Sequence, residues 1–325
     1  MLGSLLKESA GIVGRRFFLD ALVPSFTVGA LAVVVVGGHR AHGISKMVTT
    51  WTAQSVELKT LQVVLFFAVV AFLAILLSST STALVRFFEG YWRRPFSTFG
   101  KHLHRLRLQR LDDGQRLYLR YPPKSRPEEV MPTRLGNIFK SAELYPALRY
   151  GMDGVLFWPR LYAVLPDRVA TGLGETRSML ERLLALSWLS ALSAAGTGAY
   201  LLVVRGPALL YLGCLLGGAL IAHLCYLAAL QAAESYAEQV RAAFDVYRRD
   251  LAVKLRGETA ELDRPQWKEI GQFWFHGIPE GTRLMPDESS PPAEKSKGRL
   301  WVPTLTTWWA LLVLVAAVAG LLWLR

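Results

Sequence analysis

The fold of this chain is decided by the stretch LQVVLFFAVVAFLAILLSS, residues 61–79, which contains no charged residue, no Pro and no Gly. A helix of about 20 apolar residues is long enough to cross the roughly 30 Å hydrocarbon core of a bilayer. Within lipid each backbone N–H and C=O must be bonded inside the protein, and a run without alternation does not fit a barrel strand. The stretch therefore predicts a transmembrane helix.

Four more segments show the same pattern, at residues 19–37, 183–204, 208–230 and 302–324. Together the five segments predict an all-α fold, a polytopic helical membrane protein with about five transmembrane helices. Helical patterns continue beyond several of these segments and predict a helical cytoplasmic domain built partly from extensions of the transmembrane helices. The last segment follows a linker rich in Pro, Ser and Lys, residues 286–298, so its packing on the other helices is left open.

This pattern divides the chain into five regions. They are an N-terminal segment with transmembrane helices 1 and 2 (1–80), a basic cytoplasmic helical domain (81–182), transmembrane helices 3 and 4 with a cytoplasmic helical extension (183–256), a cytoplasmic amphipathic segment with a flexible linker (257–300) and transmembrane helix 5 (301–325). The net charge is +12, and residues 80–182 alone carry 18 Lys and Arg against 10 Asp and Glu. Because basic loops stay in the cytoplasm, the N-terminus and residues 81–182 and 231–300 are predicted to be cytoplasmic, with the C-terminus outside.

The fourth segment is predicted to continue as one helix over residues 208–256, because residues 231–256 contain neither Pro nor Gly. Such a helix would be on the order of 70 Å long. Its extension has an apolar stripe that suits packing in a bundle, formed by Tyr236, Val240, Phe244, Tyr247, Leu251 and Leu255. Charged residues, Arg241 and Asp245 among them, are expected on the remaining faces.

The stretch 93–120 is strongly basic and has a helical pattern. Its cations predict contacts with anionic lipid headgroups, each contributing about 1 kcal/mol near the surface. Nucleic acid is not expected as a partner, because the stretch has no aromatic stacking platform or groove-reading motif. The predicted lipid-contact residues are Arg93, Arg94, Lys101, Arg105 and Arg107.

Residues 131–166 contain two further helical patterns. The first is predicted to start at Pro132 and Thr133 and to end at Pro146. The second apolar run, residues 155–165, is too short to span a bilayer and contains Pro159. It is expected to be either a core helix or an interfacial helix with Trp158 and Tyr162 at headgroup depth and Arg160 reaching phosphate.

Three short elements carry a resemblance. They are EGYW at residues 89–92, PTRLGN at 132–137 and RYGMDGVLFWPRL at 149–161, followed by Leu165 and Pro166. Over roughly residues 80–256 the chain resembles uncharacterised bacterial, actinobacterial-type multipass membrane proteins that share these elements. The resemblance implies a bacterial cytoplasmic (inner) membrane location and no assigned activity.

Arg134, Arg149, Asp153 and Arg160 lie close together in the sequence of this cytoplasmic region. Arginine forks hold oxyanions in two-point fashion, so these residues are a candidate anion or partner site, with Asp153 orienting an arginine. The alternative interpretation is a structural Arg/Asp pair that locks the loop. No nucleophile or metal constellation accompanies the four, so neither a catalytic residue nor a metal or cofactor is predicted.

Two ionisable residues, His223 and Asp20, fall within or at the edge of predicted spans and form a candidate intramembrane polar site. A hydrogen bond to the third span would also account for His223. Small residues four apart let helix backbones approach closely, within the chain or between subunits. The predicted helix-packing residues are Ser190, Ala194, Gly198, Gly213 and Gly217.

Taken together, the sequence predicts a non-enzymatic inner-membrane protein that acts as a homo-oligomeric anchor, scaffold or sensor and recruits a cytoplasmic protein partner through its helical domain. One alternative is a homo-oligomeric ion channel with His223 or Ser/Thr residues along a pore. A second alternative is a membrane enzyme that acts on a lipid or phosphate headgroup at the arginine-rich site.

Overall fold

The computed structural model describes residues 21–40, 42–111, 117–257 and 262–277, and this part of the chain is entirely helical, without a strand. The predicted fifth span at 302–324, the linker at 286–298 and Asp20 lie outside the described residues. The described helices are α1 (Val23–Arg40), α2 (Ile44–Thr52), α3 (Val56–Ser79), α4 (Ser81–Glu89), α5 (Phe96–Arg110), α6 (Leu117–Arg120), α7 (Arg134–Tyr150), α8 (Gly154–Tyr162), α9 (Asp167–Val203), α10 (Ala208–Arg256) and α11 (Arg264–His276).

Four of these helices, α1, α3, α9 and α10, are long and apolar enough to cross a membrane. The helical membrane class predicted from the sequence is therefore confirmed at this level. The predicted bounds of the long fourth-span helix, 208–256, coincide with those of α10.

The chain divides into two compact units. Among the described residues, unit 1 comprises 21–87 and 177–232, and unit 2 comprises 88–176 and 233–277. Helices α9 and α10 supply residues to both units, because α9 has 37 residues and α10 has 49, well beyond the roughly 20 needed for a span.

Unit 1 is held together by close helix contacts between apolar side chains. Phe26 of α1 packs edge-on against Phe66 of α3, with ring centroids 5.5 Å apart. Between α9 and α10, a Cβ placed on Gly218 would lie 2.5 Å from the Cβ of Ala194, so only glycine permits this approach. Ser187 donates a hydrogen bond to the carbonyl oxygen of Ala222 at 2.8 Å and joins the same two helices.

Unit 2 has an apolar core formed by α7–α11. Phe157 of α8 is completely buried and contacts Trp267 and Trp274 of α11 at centroid distances of 5.5 and 5.0 Å. Most of the α10 stripe packs here as predicted, with Phe244 and Leu251 buried, whereas Leu255 at its end is exposed. Burying one large apolar side chain contributes about 1.5–3 kcal/mol, so this cluster stabilises unit 2.

Two predicted helix ends differ from the structure. The helix that begins after Thr133 does not end at Pro146 but continues through it to Tyr150, where Gly151 adopts a left-handed conformation (φ 77°) and closes it. A proline inside a helix removes one donor and bends the helix without necessarily ending it. The residues after the second span were predicted to continue its helix to Trp92, but α3 ends at Ser79, and a separate helix, α4, begins after Thr80 and ends at Glu89.

Candidate functional site

The polar cluster of unit 2 lies where α7 packs beside α10. It consists of Ser141, Tyr145 and Tyr150 of α7 with Arg241 and Asp245 of α10, and is called the Arg241 cluster below. Residues four apart share a helix face, so Arg241 and Asp245 point the same way. Arg241 was expected on one of the faces outside the apolar stripe, and the structure shows that this face is also covered, because the side chain is only 3% exposed.

Arg241 is held by oxygen atoms from several elements. Its Nη2 donates to the Ser141 hydroxyl at 2.7 Å and to the Tyr118 carbonyl at 3.2 Å. Its Nη1 contacts a carboxylate oxygen of Glu238 at 3.3 Å, and the guanidinium lies 5.5 Å from the centre of the Tyr118 ring. A buried cation must be satisfied in this way because its loss of hydration is costly.

Burial lowers the pKa of Arg241, and the nearby Glu238 carboxylate opposes this shift. More than half of the Glu238 side chain is exposed, and the Ser141 hydroxyl and the Tyr118 carbonyl oxygen also accept hydrogen bonds from Arg241. The Nε atom is buried without a hydrogen-bond partner in the described part of the chain. Arg241 is therefore a cation fixed inside unit 2.

Asp245 accepts hydrogen bonds from two tyrosines of α7. Tyr145 Oη lies 2.9 and 3.0 Å from its two carboxylate oxygens, and Tyr150 Oη lies 2.6 Å from one of them. Burial and the Asp245 carboxylate raise the pKa of both tyrosines, because both effects disfavour the phenolate. The Arg248 guanidinium lies 4.4 Å from the centre of the Tyr150 ring. The tyrosines therefore act as fixed neutral donors.

The EGYW and PTRLGN elements pack against each other in unit 2. A Cβ on Gly136 would lie 2.1 Å from the carbonyl oxygen of Glu89, and one on Gly90, which has φ 92°, would lie 2.4 Å from the Pro132 ring. Asn137 is completely buried and bonds both the N–H and the C=O of Met131. These two elements thus form a close backbone junction, for which their glycines are required.

The third element forms the turn between α7 and α8. Asp153 is the N-cap of α8 and accepts hydrogen bonds at 2.9 Å from the N–H groups of Val155 and Leu156. A Cβ on Gly154 would lie 2.3 Å from the carbonyl oxygen of Glu143. Glycine, asparagine and aspartate residues of the three elements therefore have identifiable structural roles.

Each residue of the predicted anion or partner site has its own surroundings. Arg134 begins α7 and acts electrostatically on His104 and Tyr121, whereas Arg149 is exposed on the last turn of α7. Asp153 caps α8. The Arg160 guanidinium lies 4.1 Å from the centre of the Trp274 ring and donates to the Leu156 carbonyl oxygen at 2.6 Å.

The second short apolar run is a core helix, which was one of its two predicted alternatives. Phe157 and Leu161 are completely buried within unit 2. Trp158, which was expected at headgroup depth in the interfacial alternative, packs on Phe244 with ring centroids 6.0 Å apart.

The predicted helix-packing residues and His223 differ in how closely neighbouring side chains approach them. Ala194 is buried, and a Cβ on Gly198 would lie 3.5 Å from the ring of Tyr211, while a Cβ on Gly213 or on Gly217 would have no atom within 4 Å. Ser190 contributes its carbonyl oxygen to the contact with Gly218. His223 is exposed.

Among the predicted lipid-contact residues, Arg93, Arg94 and Arg107 are exposed. Lys101 is half-buried, and Arg105 donates to the carbonyl oxygen of Pro127 at 2.9 Å. The helix that carries most of them, α5, is fixed on its inner side by a 2.9 Å hydrogen bond between His104 Nδ1 and the Tyr121 hydroxyl. Burial lowers the pKa of His104, and the charges of Arg107 and Arg134 lower it further.

Sequence reasoning missed the Arg241 cluster. The available signal was the position of Arg241 one residue after Val240 of the apolar stripe, together with the tyrosine pair five residues apart in α7.

In the described ranges no group of three His, Cys, Asp or Glu residues could hold a metal ion. Comparisons with protein-family models, curated proteins and solved structures find no match for this chain.

Proposed function

We propose that this protein is a non-enzymatic, homo-oligomeric membrane anchor or scaffold of a bacterial inner membrane, with its helical unit 2 in the cytoplasm as the part that recruits a protein partner. The surplus of Lys and Arg in residues 80–182 supports this orientation, with the C-terminus outside. The resemblance of the EGYW, PTRLGN and RYGMDGVLFWPRL elements supports the bacterial setting. The unbroken α10, which supplies residues to both units, supports a connection of the anchor to the recruiting domain through one helix.

The observation that carries the oligomer is the open face of α10 within unit 1. Positions 209, 213, 216, 220 and 223 recur every three or four residues and so share one face. Leu209, Leu216, Leu220 and His223 are all exposed there. This face carries Gly213, whose Cβ position is open, whereas the Cβ position of the neighbouring Gly218 is occupied by Ala194 of the same chain.

Lipid alone is a poor environment for this face. An imidazole facing hydrocarbon leaves its polar nitrogens without partners, and polar groups inside membranes usually face protein or water. Glycines spaced four apart allow two helix backbones to approach closely. A second copy of α10 would cover both Gly213 and His223.

The test is the mass of the full chain in lipid nanodiscs. We expect the wild type to be oligomeric and Gly213→Leu/Gly217→Leu to shift it to smaller species, because two large side chains keep the backbones apart. Gly196→Leu is the matched control, since that glycine of α9 also has no atom within 4 Å of its Cβ position but lies off the α10 face. A wild-type monomer, or equal effects of the two changes, would refute the proposed interface.

The exposure of His223 favours a second function, a homo-oligomeric ion channel in which this face lines a pore. Planar-bilayer recordings of the wild type and His223→Ala test it. Conductance that changes in pH dependence on substitution would favour the channel, and a wild type that never conducts under voltage, tension or acid would exclude it.

A further inference from the structure

The outer side of α5 exposes a continuous apolar stripe. Phe96, Phe99, Leu103 and Leu106 are spaced three or four residues apart and therefore lie on one face. Phe96 is 64% exposed and Phe99 is 67% exposed, and both leucines are exposed as well. A cluster of large apolar side chains on one exposed helix face marks an interaction surface, whereas single exposed ones need no explanation.

The inner side of the same helix is fixed to unit 2. A Cβ on Gly100 would lie 2.7 Å from Pro132 Cβ and 2.8 Å from the Pro132 carbonyl oxygen, so the two backbones touch. Leu108 is buried with Tyr121 and Val130. Since the inner contacts fix the rotation of α5, its apolar stripe cannot turn inward without breaking them.

The charged residues around the stripe indicate which kind of surface covers it. Residues 93–110 contain six Lys and Arg and no Asp or Glu. At about 100° per residue, Arg107 and Arg110 lie within roughly 40° of the stripe, whereas Lys101 and Arg105 lie on the opposite side. Exposed Arg93 and Arg94 precede its first residue. Apolar side chains bordered by arginines match an anionic headgroup layer, in which the rings enter the acyl boundary and the guanidiniums bind phosphate.

We propose that α5 is an interfacial helix that inserts Phe96, Phe99, Leu103 and Leu106 into the surface of an anionic bilayer, with Arg107 and Arg110 on its phosphates. This inference is independent of the oligomer proposed above. It also refines the sequence prediction, because Lys101 and Arg105 are excluded from the lipid face. Arg105 is instead bound to the Pro127 carbonyl oxygen.

The experiment uses the full chain with both native cysteines, Cys214 and Cys225, changed to Ala. A single cysteine at Phe99 or at Val246 carries an environment-sensitive fluorophore. Val246 is the matched control, because it also belongs to unit 2 and is 62% exposed but lies on α10 and not on the α5 stripe. The protein is reconstituted in phosphatidylcholine vesicles with or without phosphatidylglycerol, containing lipids brominated near the headgroup.

We expect bromine to quench the label at position 99 strongly in the anionic vesicles and the label at position 246 little. Removing phosphatidylglycerol, raising the salt concentration or introducing Arg107→Glu/Arg110→Glu should reduce the quenching. Each basic residue near such a surface favours binding about fivefold, so the loss of two arginines alone should lower the insertion equilibrium on the order of 30-fold, and repulsion of the two new glutamates should lower it further. Near-UV circular dichroism verifies that the variants remain folded.

Three outcomes would overturn the inference. Equal quenching at the two positions would show that the stripe has no special relation to lipid. A label at position 99 that is shielded from water yet not quenched would show that a second copy or another protein covers the stripe. Quenching that persists unchanged without phosphatidylglycerol and in the double-glutamate variant would exclude anionic headgroups as the determinant.

Discussion

The two halves of α10 reverse the usual relation between polarity and burial. Residues 208–232, which belong to unit 1, are apolar, yet Leu209, Leu216 and Leu220 are exposed. Residues 233–256 belong to unit 2 and are charged, yet Arg241 is buried beside Phe244. The difference fits the proposed setting, in which hydrocarbon surrounds the first half and water surrounds the second. Leucine loses nothing by facing hydrocarbon, whereas in water the helix must bury its apolar stripe and satisfy any polar group buried with it.

The largest expected effect comes from removing the Phe157 side chain at the centre of the unit 2 core. We expect Phe157→Ala to destabilise unit 2 by about 3–5 kcal/mol, because a fully buried ring between two tryptophans leaves a cavity. Thermal unfolding in nanodiscs, followed by near-UV circular dichroism, measures the loss. Val155→Ala, in the same helix but exposed, should change stability by less than about 0.5 kcal/mol. Similar losses for the two variants would mean that α8 is not packed as described.

The second prediction concerns the buried cation. We expect Arg241→Met to cost about 2 kcal/mol, because the Ser141 hydroxyl and the Tyr118 carbonyl lose their donor inside the protein. In the Arg241→Met background Ser141→Ala should cost less than it does alone, because the hydrogen bond between the two side chains is already lost. The exposed Arg249→Met is the control. If Arg241→Met were neutral or stabilising, the polar contacts of Arg241 would contribute nothing to stability, and the side chain would only fill space in unit 2.

The third prediction is a pH dependence at the inner side of α5. The pKa of His104 is lowered from its ordinary value of 6.5 in the folded protein, so the unfolded chain binds a proton first as the pH falls. Its contribution to stability is therefore complete above pH 6.5 and is lost as the pH falls from there through the folded-state pKa. We expect wild-type stability to decline in this window relative to His104→Gln, measured as melting temperature from about pH 7.5 to 5. Parallel curves would contradict the assignment.

The smallest expected effect sharpens the contrast between the two solvents. Leu65 of α3 is exposed in a candidate span. Leu65→Ala should therefore lower the free energy of unfolding by less than about 1 kcal/mol, because the change removes only the favourable free energy of placing a leucine side chain in lipid. Leu161→Ala in unit 2 removes the same atoms from a fully buried position and should cost about 2–5 kcal/mol. Thermal unfolding of both variants in the same nanodiscs gives the comparison. Equal costs would indicate that Leu65 is covered by protein.

Much of the secondary structure could be predicted from local patterns. The extension of α10 to Arg256 follows from residues 231–256, which contain neither Pro nor Gly, and the starts of α7 and α9 follow from Thr133 and Pro166. The end of α7 could not be predicted in this way, because Pro146 is typical of a helix end although Gly151 supplies the real one. Proline restricts the turn before it, and the surrounding packing decides whether the helix continues.

The candidate sites were harder to predict than the helices. The sequence placed Arg134, Arg149, Asp153 and Arg160 near one another because they are close in the chain. The structure gives Asp153 to the cap of α8, which is a local role, and Arg160 to the Trp274 ring, a contact that depends on how α8 meets α11. The Arg241 cluster joins residues about 100 positions apart, such as Ser141 and Arg241. Spacing along one helix carries no information about such partners.

The class of this protein follows from its sequence alone. The length of the apolar segments and the positions of the charged residues show which segments can lie in hydrocarbon, and both are local properties of the chain. Only the tertiary structure decided which polar residues are buried, which glycines are in contact and which face of α5 stays open. Arg241, Gly218 and Phe99 have those roles through neighbours that are distant in the sequence. Burial and close approach are properties of pairs of elements, and a single element cannot specify them.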